Sequence, residues 1–475
     1  MTCQCGAYAA GPLSLREAAL FTDLYELTMA ASYLREGMRG EATFSLFIRK
    51  LPPHRSFLVA AGLEDVLEFL RQFQFSEAAV RHVRSLGGFD PAFLDFLGDV
   101  RFTGSVRAVP EGTVVFADEP LLEVTAPIIE AQLVETAVLN FCHLQTMLAS
   151  KAARAVLAAR GRPVVDFGLR RAHGIDAGLK AARASFIAGA AMTSNVLAGL
   201  AYGIPPAGTM AHSYVEAFPR EIEAFRAFAR AFPGNTTLLL DTYDTVAGAH
   251  KAVTVAGELR ERGARLAAVR LDSGDILSLS RQVRQVLDAA GLADVRIFVS
   301  GGLDEDEVDA LLDAGAPVDA FGVGTRMTVS ADAPYFDMAY KLVRYAGRDV
   351  LKLSAGKATW TGEKQVYRRR DGGGWFAGDV IALRDEPGPP GGEPLLRTVM
   401  DKGRHVEAAP TLAAIRERAR TQIAALPAAV RRLREPAAYG VRYGERLLAT
   451  QQALQAEMEA REVRGAPGGE ARRSA

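Results

Sequence analysis

Cysteine is scarce in this chain, with three among 475 residues: Cys3, Cys5 and Cys142. Such sparse, odd usage excludes a disulfide framework and fits a reducing, cytoplasmic setting. Cys3-x-Cys5 could begin a metal site, but no second cysteine pair or histidine cluster completes one, so no protein-held metal is expected. Excess charge of either sign is also missing, since Lys+Arg and Asp+Glu both total 56. That balance argues against a general nucleic-acid or membrane-surface binder and leaves room only for a local cationic pocket. The first twenty residues lack the basic region and continuous apolar core of a signal peptide. One long uncharged stretch, 185–211, is broken by Asn195, Pro205, Pro206 and several glycines, and reads as buried loops and helix ends rather than a membrane span. There is no Gly-x-x-x-x-Gly-Lys-Ser/Thr loop, no Gly-x-Gly-x-x-Gly fingerprint, no zinc-ligand spacing and no serine nucleophile elbow.

What the chain does have is material for a large core, with 49% hydrophobic and 24% charged residues over a length of two to four domains. Phe21 to Gly37 reads as a helix with Thr22 as its N-cap and Gly37 past its end. Glu41 to Ile48 alternates Thr43 and Ser45 against Phe44 and Leu46, a strand pattern. Leu63 to Val100 is helical, and short strands follow, including Val106–Val109 and Thr113–Phe116. From about residue 150 the texture becomes repetitive. Apolar runs stand at Pro163–Phe167, Pro206–Met210, Thr237–Leu240, Leu266–Leu271, Val295–Val299 and Ala320–Val323. After a longer first interval they recur about every 24–31 residues, the spacing of a strand-helix unit. Amphipathic helices lie between them, as in Asp275 to Leu287. The pattern predicts an α/β fold with a parallel sheet or a (β/α) barrel. From Lys352 the order loosens: strands over Thr359–Arg368, a turn over Gly373–Asp379, a helix containing Thr411–Ile423 and an alanine- and arginine-rich helix ending near Glu462. Residues 461–475 are expected to be a disordered tail.

Polar residues gather just after the repeated strands. In order they are Phe167-Gly168-Leu169-Arg170-Arg171, Gly208-Thr209-Met210-Ala211-His212-Ser213, Asp241-Thr242-Tyr243-Asp244, Arg270-Leu271-Asp272-Ser273-Gly274-Asp275, Ser300-Gly301-Gly302 and Gly322-Val323-Gly324-Thr325. Parallel strands end on one face, so these segments should share a rim where active sites of barrel enzymes sit. Each element also has a bland reading. The glycines could be tight turns, the arginines surface ion-pair partners, Asp272 and Asp275 helix caps, and His212 a structural histidine. Their shared position favours chemistry. Glycines ahead of helices expose N–H groups for phosphate, and arginine forks suit carboxylate or phosphate. Asp272 or Asp275 could hold ribose hydroxyls or a magnesium ion brought by a phosphorylated ligand.

At these residues the sequence closely resembles the nicotinate phosphoribosyltransferase family. The matching segments are Thr22-Asp23-Leu24-Tyr25, Phe167-Gly168-Leu169-Arg170-Arg171, Thr193-Ser194-Asn195-Val196-Leu197-Ala198-Gly199, Gly208 through Ser213 and Arg270 through Asp275. Five unlinked motifs in order make the match specific from about residue 20 to about 345. The resemblance implies an irregular (β/α) barrel of the type II phosphoribosyltransferase kind plus an α/β-sandwich domain built from N- and C-terminal segments. The expected boundaries are 1–150 completed by 355–460 for the sandwich, and 151–354 for the barrel with the active site.

The resemblance further implies that nicotinate and phosphoribosyl pyrophosphate give nicotinate mononucleotide and pyrophosphate, with ATP hydrolysed through phosphorylation of His212. Phe167 and Tyr25 would stack on the pyridine ring, Tyr25 coming from the other subunit of a homodimer. Arg270, with Thr209 and Arg170, would hold the nicotinate carboxylate, and Arg171 and Ser213 would complete the substrate site. Asp272 would act at the ribose, Gly301, Gly302, Gly324 and Thr325 would cradle the 5′-phosphate, and Mg2+ would accompany ATP and phosphoribosyl pyrophosphate. A nicotinamide-specific sister family carries an aspartate where this chain has Ser194. An aspartate would repel a carboxylate substrate, so nicotinate is favoured. A quinolinate enzyme would need more basic residues. From another class, a catalytically silent pyridine-nucleotide sensor is the alternative, and turnover by His212→Ala separates it from an enzyme.

Overall fold

The computed structural model describes residues 15–353 and 359–464. Cys3, Cys5 and most of the expected tail lie outside them, and residues 461–464 continue the last helix as a π-helical turn, Glu459–Arg464. The chain divides into two compact units, one of residues 1–146 with 335–475 and one of residues 147–334.

The first unit is built on a seven-stranded antiparallel sheet. Its order is Arg348–Asp349, Met338–Tyr345, Glu41–Ile48, Pro120–Pro127, Ser105–Ala108, Arg397–Asp401 and Arg404–His405. Strand Glu41–Ile48 sits inside it, with Ala42 opposite Tyr345 on one side and Ala126 on the other. Strand Met338–Tyr345 therefore belongs here, and the barrel boundary expected at 354 falls too late. The alternation in Glu41–Ile48 suggests one wet face, yet Thr43 and Ser45 are both buried. Thr43 bonds the hydroxyl of Thr125 at 2.9 Å and donates to Glu363 at 3.1 Å. The cover comes from the C-terminal segment, where Lys364–Arg370 and Phe376–Leu383 pair in a second sheet with Glu393–Pro394 and Val441–Tyr443. The backbone N–H of Lys364 donates to Glu123 at 3.0 Å, and its ammonium lies 3.4 Å from the same carboxylate. A polar sheet face thus becomes interior because charged partners arrive from far along the chain. The stretch Gly373–Asp379, expected as a turn, turns only up to Trp375 and then enters strand Phe376–Leu383.

Helix Leu24–Arg35 also departs from expectation. Asp23 occupies the N-cap position, and Thr22 instead donates to the carboxylate of Glu26. Three helices, Leu63–Arg71, Glu77–Leu86 and Pro91–Asp99, fill the segment expected to be helical.

The second unit is a half-barrel of six parallel strands in the order Met192–Thr193, Val164–Asp166, Ala320–Val323, Arg296–Val299, Leu266–Leu271 and Thr236–Leu239. Helices Ile175–Ala188, Thr245–Glu261, Ile276–Ala289 and Glu305–Asp313 connect them. The sheet does not close. The segment 206–210, expected as a strand, contributes one bridge, Pro206 to Thr193. Pro205 and Pro206 supply no N–H, so a ladder cannot propagate there. Met192–Thr193, two residues long, takes the place beside Val164–Asp166.

Candidate active site

Because all six strands are parallel, their C-terminal ends lie along one rim, and each end delivers a polar group. Asp166 closes the first. One carboxylate oxygen accepts from the N–H of Gly168 at 2.9 Å and the other from the hydroxyl of Thr193 at 2.7 Å. Burial holds its carboxyl above the usual range despite those donors. Asp166 therefore ties the Phe167-Gly168 turn to the next strand end, and the N–H of Ser194 donates to its carbonyl. Asn195 then caps helix Val196–Tyr202 by accepting from Ala198 at 3.1 Å.

Phe167 packs edge-on against Phe298 with ring centroids 5.5 Å apart. A side chain at Gly322 would strike the Phe167 ring 2.7 Å away, so that glycine makes space for the aromatic. Arg170 and Arg171 end the short turn Leu169–Arg171 and are exposed.

Arg270 is the interior cation of the rim. It is 9% exposed, donates to the Thr209 hydroxyl at 2.6 Å and lies 3.8 Å from Asp272. Its Nε is buried with no partner among the described residues. Burial lowers its pKa, the Asp272 and Asp241 carboxylates oppose that, and the positive charge of Arg170 adds to it. Thr209 has no strand to hold it, and this bond fixes its place.

Asp272 follows directly after strand Leu266–Leu271. Its backbone N–H donates to Asp241 at 3.1 Å, and Ser273 donates to the same oxygen. Ser300 in turn donates to the Asp272 carboxylate. Gly301 stands at φ +90°, and a Cβ there would lie 1.7 Å from the Asp272 carbonyl oxygen. Only glycine allows this approach. Gly302 follows at φ +68°, and Gly324 precedes the short helix Thr325–Thr328.

His212 begins the short helix His212–Glu216. Its Nδ1 meets the Thr242 hydroxyl at 3.2 Å and its Nε2 lies 3.9 Å from Asp272. Ser213 beside it is exposed. Imidazole, carboxylate and guanidinium thus run in sequence, His212 to Asp272 to Arg270, with Asp272 between the other two. Asp241 supports that line from below, and its second oxygen is buried without a partner among the described residues.

Tyr25 belongs to the sandwich unit. It is 48% exposed, and its hydroxyl bonds the Glu135 carboxylate. Partial burial and the Glu135, Glu26 and Asp23 charges push that hydroxyl's pKa up. Thr209, His212, Arg270, Asp272 and Ser300 are brought together as the strand-end argument expects. Asp166 and Thr193 carry structural roles that the sequence patterns do not reveal. Their only signal is an acid and a hydroxyl at neighbouring strand ends.

Three family models match the chain: the nicotinate phosphoribosyltransferase N-terminal domain over residues 20–143, the nicotinate phosphoribosyltransferase family over 163–357, and the C-terminal domain over 389–451. The chain is 55% identical to Mycobacterium tuberculosis nicotinate phosphoribosyltransferase pncB2 over 432 residues, covering 90% of this chain and 92% of that one. It is 39% identical to the Bacillus subtilis nicotinate phosphoribosyltransferase, covering 78% and 76%. The crystal structure of human nicotinic acid phosphoribosyltransferase superposes with a TM-score of 0.82 at 34% identity, covering 91% of this chain and 99% of that one. The chain belongs to the nicotinate phosphoribosyltransferase family.

Proposed function

We propose that the protein joins nicotinate to the ribosyl group of phosphoribosyl pyrophosphate, and that ATP is hydrolysed in the process through phosphorylation of His212. The observation that carries the reading is Arg270. A buried guanidinium with an unpartnered Nε and one firm hydroxyl contact is unfinished, and a bidentate carboxylate would finish it. Nicotinate supplies that carboxylate. Ser194 adds no negative charge to oppose it, which favours nicotinate over nicotinamide.

In the reaction the pyridine nitrogen forms the bond to the anomeric carbon as the bond to pyrophosphate breaks, and positive charge develops on the ribose. Asp272 stabilises that charge and the ribose hydroxyls. Phe167, with Tyr25 supplied by the other subunit, flanks the ring. Arg170, Arg171 and Ser213 are exposed at the rim, where anionic groups approach. Gly301, Gly302, Gly324 and Thr325 offer donors to the 5′-phosphate. A Mg2+ ion arriving with the phosphates would supply charge neutralisation to the leaving group. Among the described residues no group of three or more His, Cys, Asp or Glu could hold an ion. Asp241 and Asp272 are the rim carboxylates that would meet the substrate's ion.

In this reading His212 takes the terminal phosphoryl group of ATP, and ADP leaves. An imidazole nitrogen is an effective nucleophile near neutral pH, and its position at a helix start favours the added negative charge. Hydrolysis of the phosphohistidine by water then releases phosphate and returns the imidazole. A homodimer is supported by exposed apolar residues of the half-barrel unit: Leu200 is 85%, Val196 74% and Ile175 67% exposed. A cytoplasmic location is supported by the free, buried Cys142.

The test is a panel of nicotinate, nicotinamide and quinolinate, each with and without ATP, on the wild type and His212→Ala. The variant should lose ATP hydrolysis and ATP stimulation while keeping some ATP-independent synthesis from nicotinate. Equal ATP hydrolysis and stimulation in both proteins would remove the role given to His212. Preference for nicotinamide would overturn the substrate.

A further inference from the structure

Glu305 and Lys151 lie outside the rim, yet they form a buried ion cluster directly behind it. Lys151, on helix Glu135–Ala158, is 2% exposed and lies 2.5 Å from Glu305 and 2.8 Å from Asp332. Arg154, one turn on, donates to the other oxygen of Glu305 at 2.7 Å. Glu305 opens helix Glu305–Asp313, three residues after Gly302, and Asp332 follows the short helix that Gly324 precedes. One ammonium therefore holds both glycine-bearing connections. A second tie runs outside it, where Arg326 lies 3.0 Å from Asp304 and 2.6 Å from Glu307. Farther along the same helix Arg160 meets Asp309 at 2.6 Å.

Burying an ammonium, a guanidinium and a carboxylate is a poor way to gain stability, because desolvation offsets most of the attraction. What the charge does supply is a short, fixed distance. We infer that Lys151 is a positioning residue that sets the separation between the Gly301-Gly302 turn and the Gly324 turn, and through it the affinity for the phosphate end of phosphoribosyl pyrophosphate. This rests on the reading of those turns as a phosphate cradle. N–H groups on two connections must converge on one tetrahedral anion, and a drift of about 1 Å in their spacing breaks part of that convergence.

The test is Lys151→Met, which keeps the length of the side chain and removes its charge. The KM for phosphoribosyl pyrophosphate should rise about tenfold, while kcat and the KM for nicotinate stay within about twofold. An unchanged phosphoribosyl pyrophosphate KM overturns the inference. So does a loss of kcat and of both affinities in step with the melting temperature, which is what a merely structural cluster gives. Should Lys151→Met fail to fold, the exposed tie is tested by Arg326→Met, with an expected rise of about threefold and an unchanged melting temperature. No rise there overturns the inference too. Thr325→Val and Gly302→Ala report on the cradle itself. If neither raises the phosphoribosyl pyrophosphate KM, the cradle reading falls and the inference with it. If they raise it and the lysine and arginine variants do not, only the inference falls.

Discussion

Among the buried arginines, Arg368 of the sandwich unit and Arg270 of the half-barrel unit are finished differently. In the sandwich unit, Arg368 is 1% exposed and saturated: it donates to both oxygens of Asp379 at 3.1 Å, and to the Val114 carbonyl and Gln422 at 2.8 Å each. Phe376 lies under its guanidinium at 4.5 Å. Glu119 stands 3.9 Å away, and burial with the nearby Asp379 charge holds its carboxyl well above the usual range. Burial lowers the Arg368 pKa, but the charge and hydrogen bond of Asp379 together with Glu119 and Tyr439 outweigh it, so the pKa rises. In the half-barrel unit, Arg270 has one hydroxyl, a carboxylate at 3.8 Å, an unpartnered Nε and a depressed pKa. A finished charge holds a fold together, whereas an unfinished one waits for a ligand.

Three changes would break or sharpen that contrast. The largest effect is expected in Arg368→Ala, which leaves Asp379 and Glu119 buried without their cation and should cost about 3–5 kcal/mol of stability. Denaturant unfolding measures this, and the KM for nicotinate in the surviving folded protein should not move. Next is Arg270→Met, where the effect reverses. The loss of a charge-assisted carboxylate contact should lower kcat/KM for nicotinate by about 2–3 kcal/mol, roughly 30- to 150-fold. The melting temperature should hold or rise, because the charge is costly to bury unpaired. A falling melting temperature with unchanged nicotinate kinetics would erase the distinction between the two arginines.

The smallest effect concerns pH. Glu26 is buried, and Thr136 bonds both Glu26 and Asp23 at 2.7 Å with a single hydroxyl proton. One of those two bonds needs a proton from a carboxyl. Burial raises Glu26 to about 7, against the Thr22 and Thr136 hydrogen bonds, which lower it. A carboxyl with a folded pKa above its unfolded value contributes stability that is full below about 4.5 and is lost as pH climbs through about 7. Glu26→Gln should flatten stability across that window, and an unchanged slope would show that the proton resides elsewhere.

The same contrast explains what could be read in advance. Leu266–Leu271 and Ala320–Val323 are apolar runs buried on both faces and spaced by their helices, so their bounds follow from the sequence pattern. Arg270 and Asp272 stand out because they flank the end of such a run, and His212 because it follows the apolar segment 206–210. The sandwich hides its strands. Lys364, Arg368, Asp379 and Glu123 look like surface residues until their partners are known, and Val441–Tyr443 is too short to show a period. Two errors within the half-barrel have equally local causes. Pro205-Pro206 removes the donors from an otherwise apolar run, and Asp166 is an acid that no spacing rule marks as buried.

Strand Glu41–Ile48 has its partner Met338–Tyr345 some three hundred residues downstream. During synthesis its two neighbours therefore emerge far apart in time. Pro120–Pro127 can pair soon after it leaves the ribosome, but the other edge stays open until nearly three quarters of the chain exists. The half-barrel unit, continuous from 147 to 334, is complete before that edge closes. Assembly on the ribosome thus departs from the order of the chain, with the middle finished while one edge of the beginning still waits for a later segment.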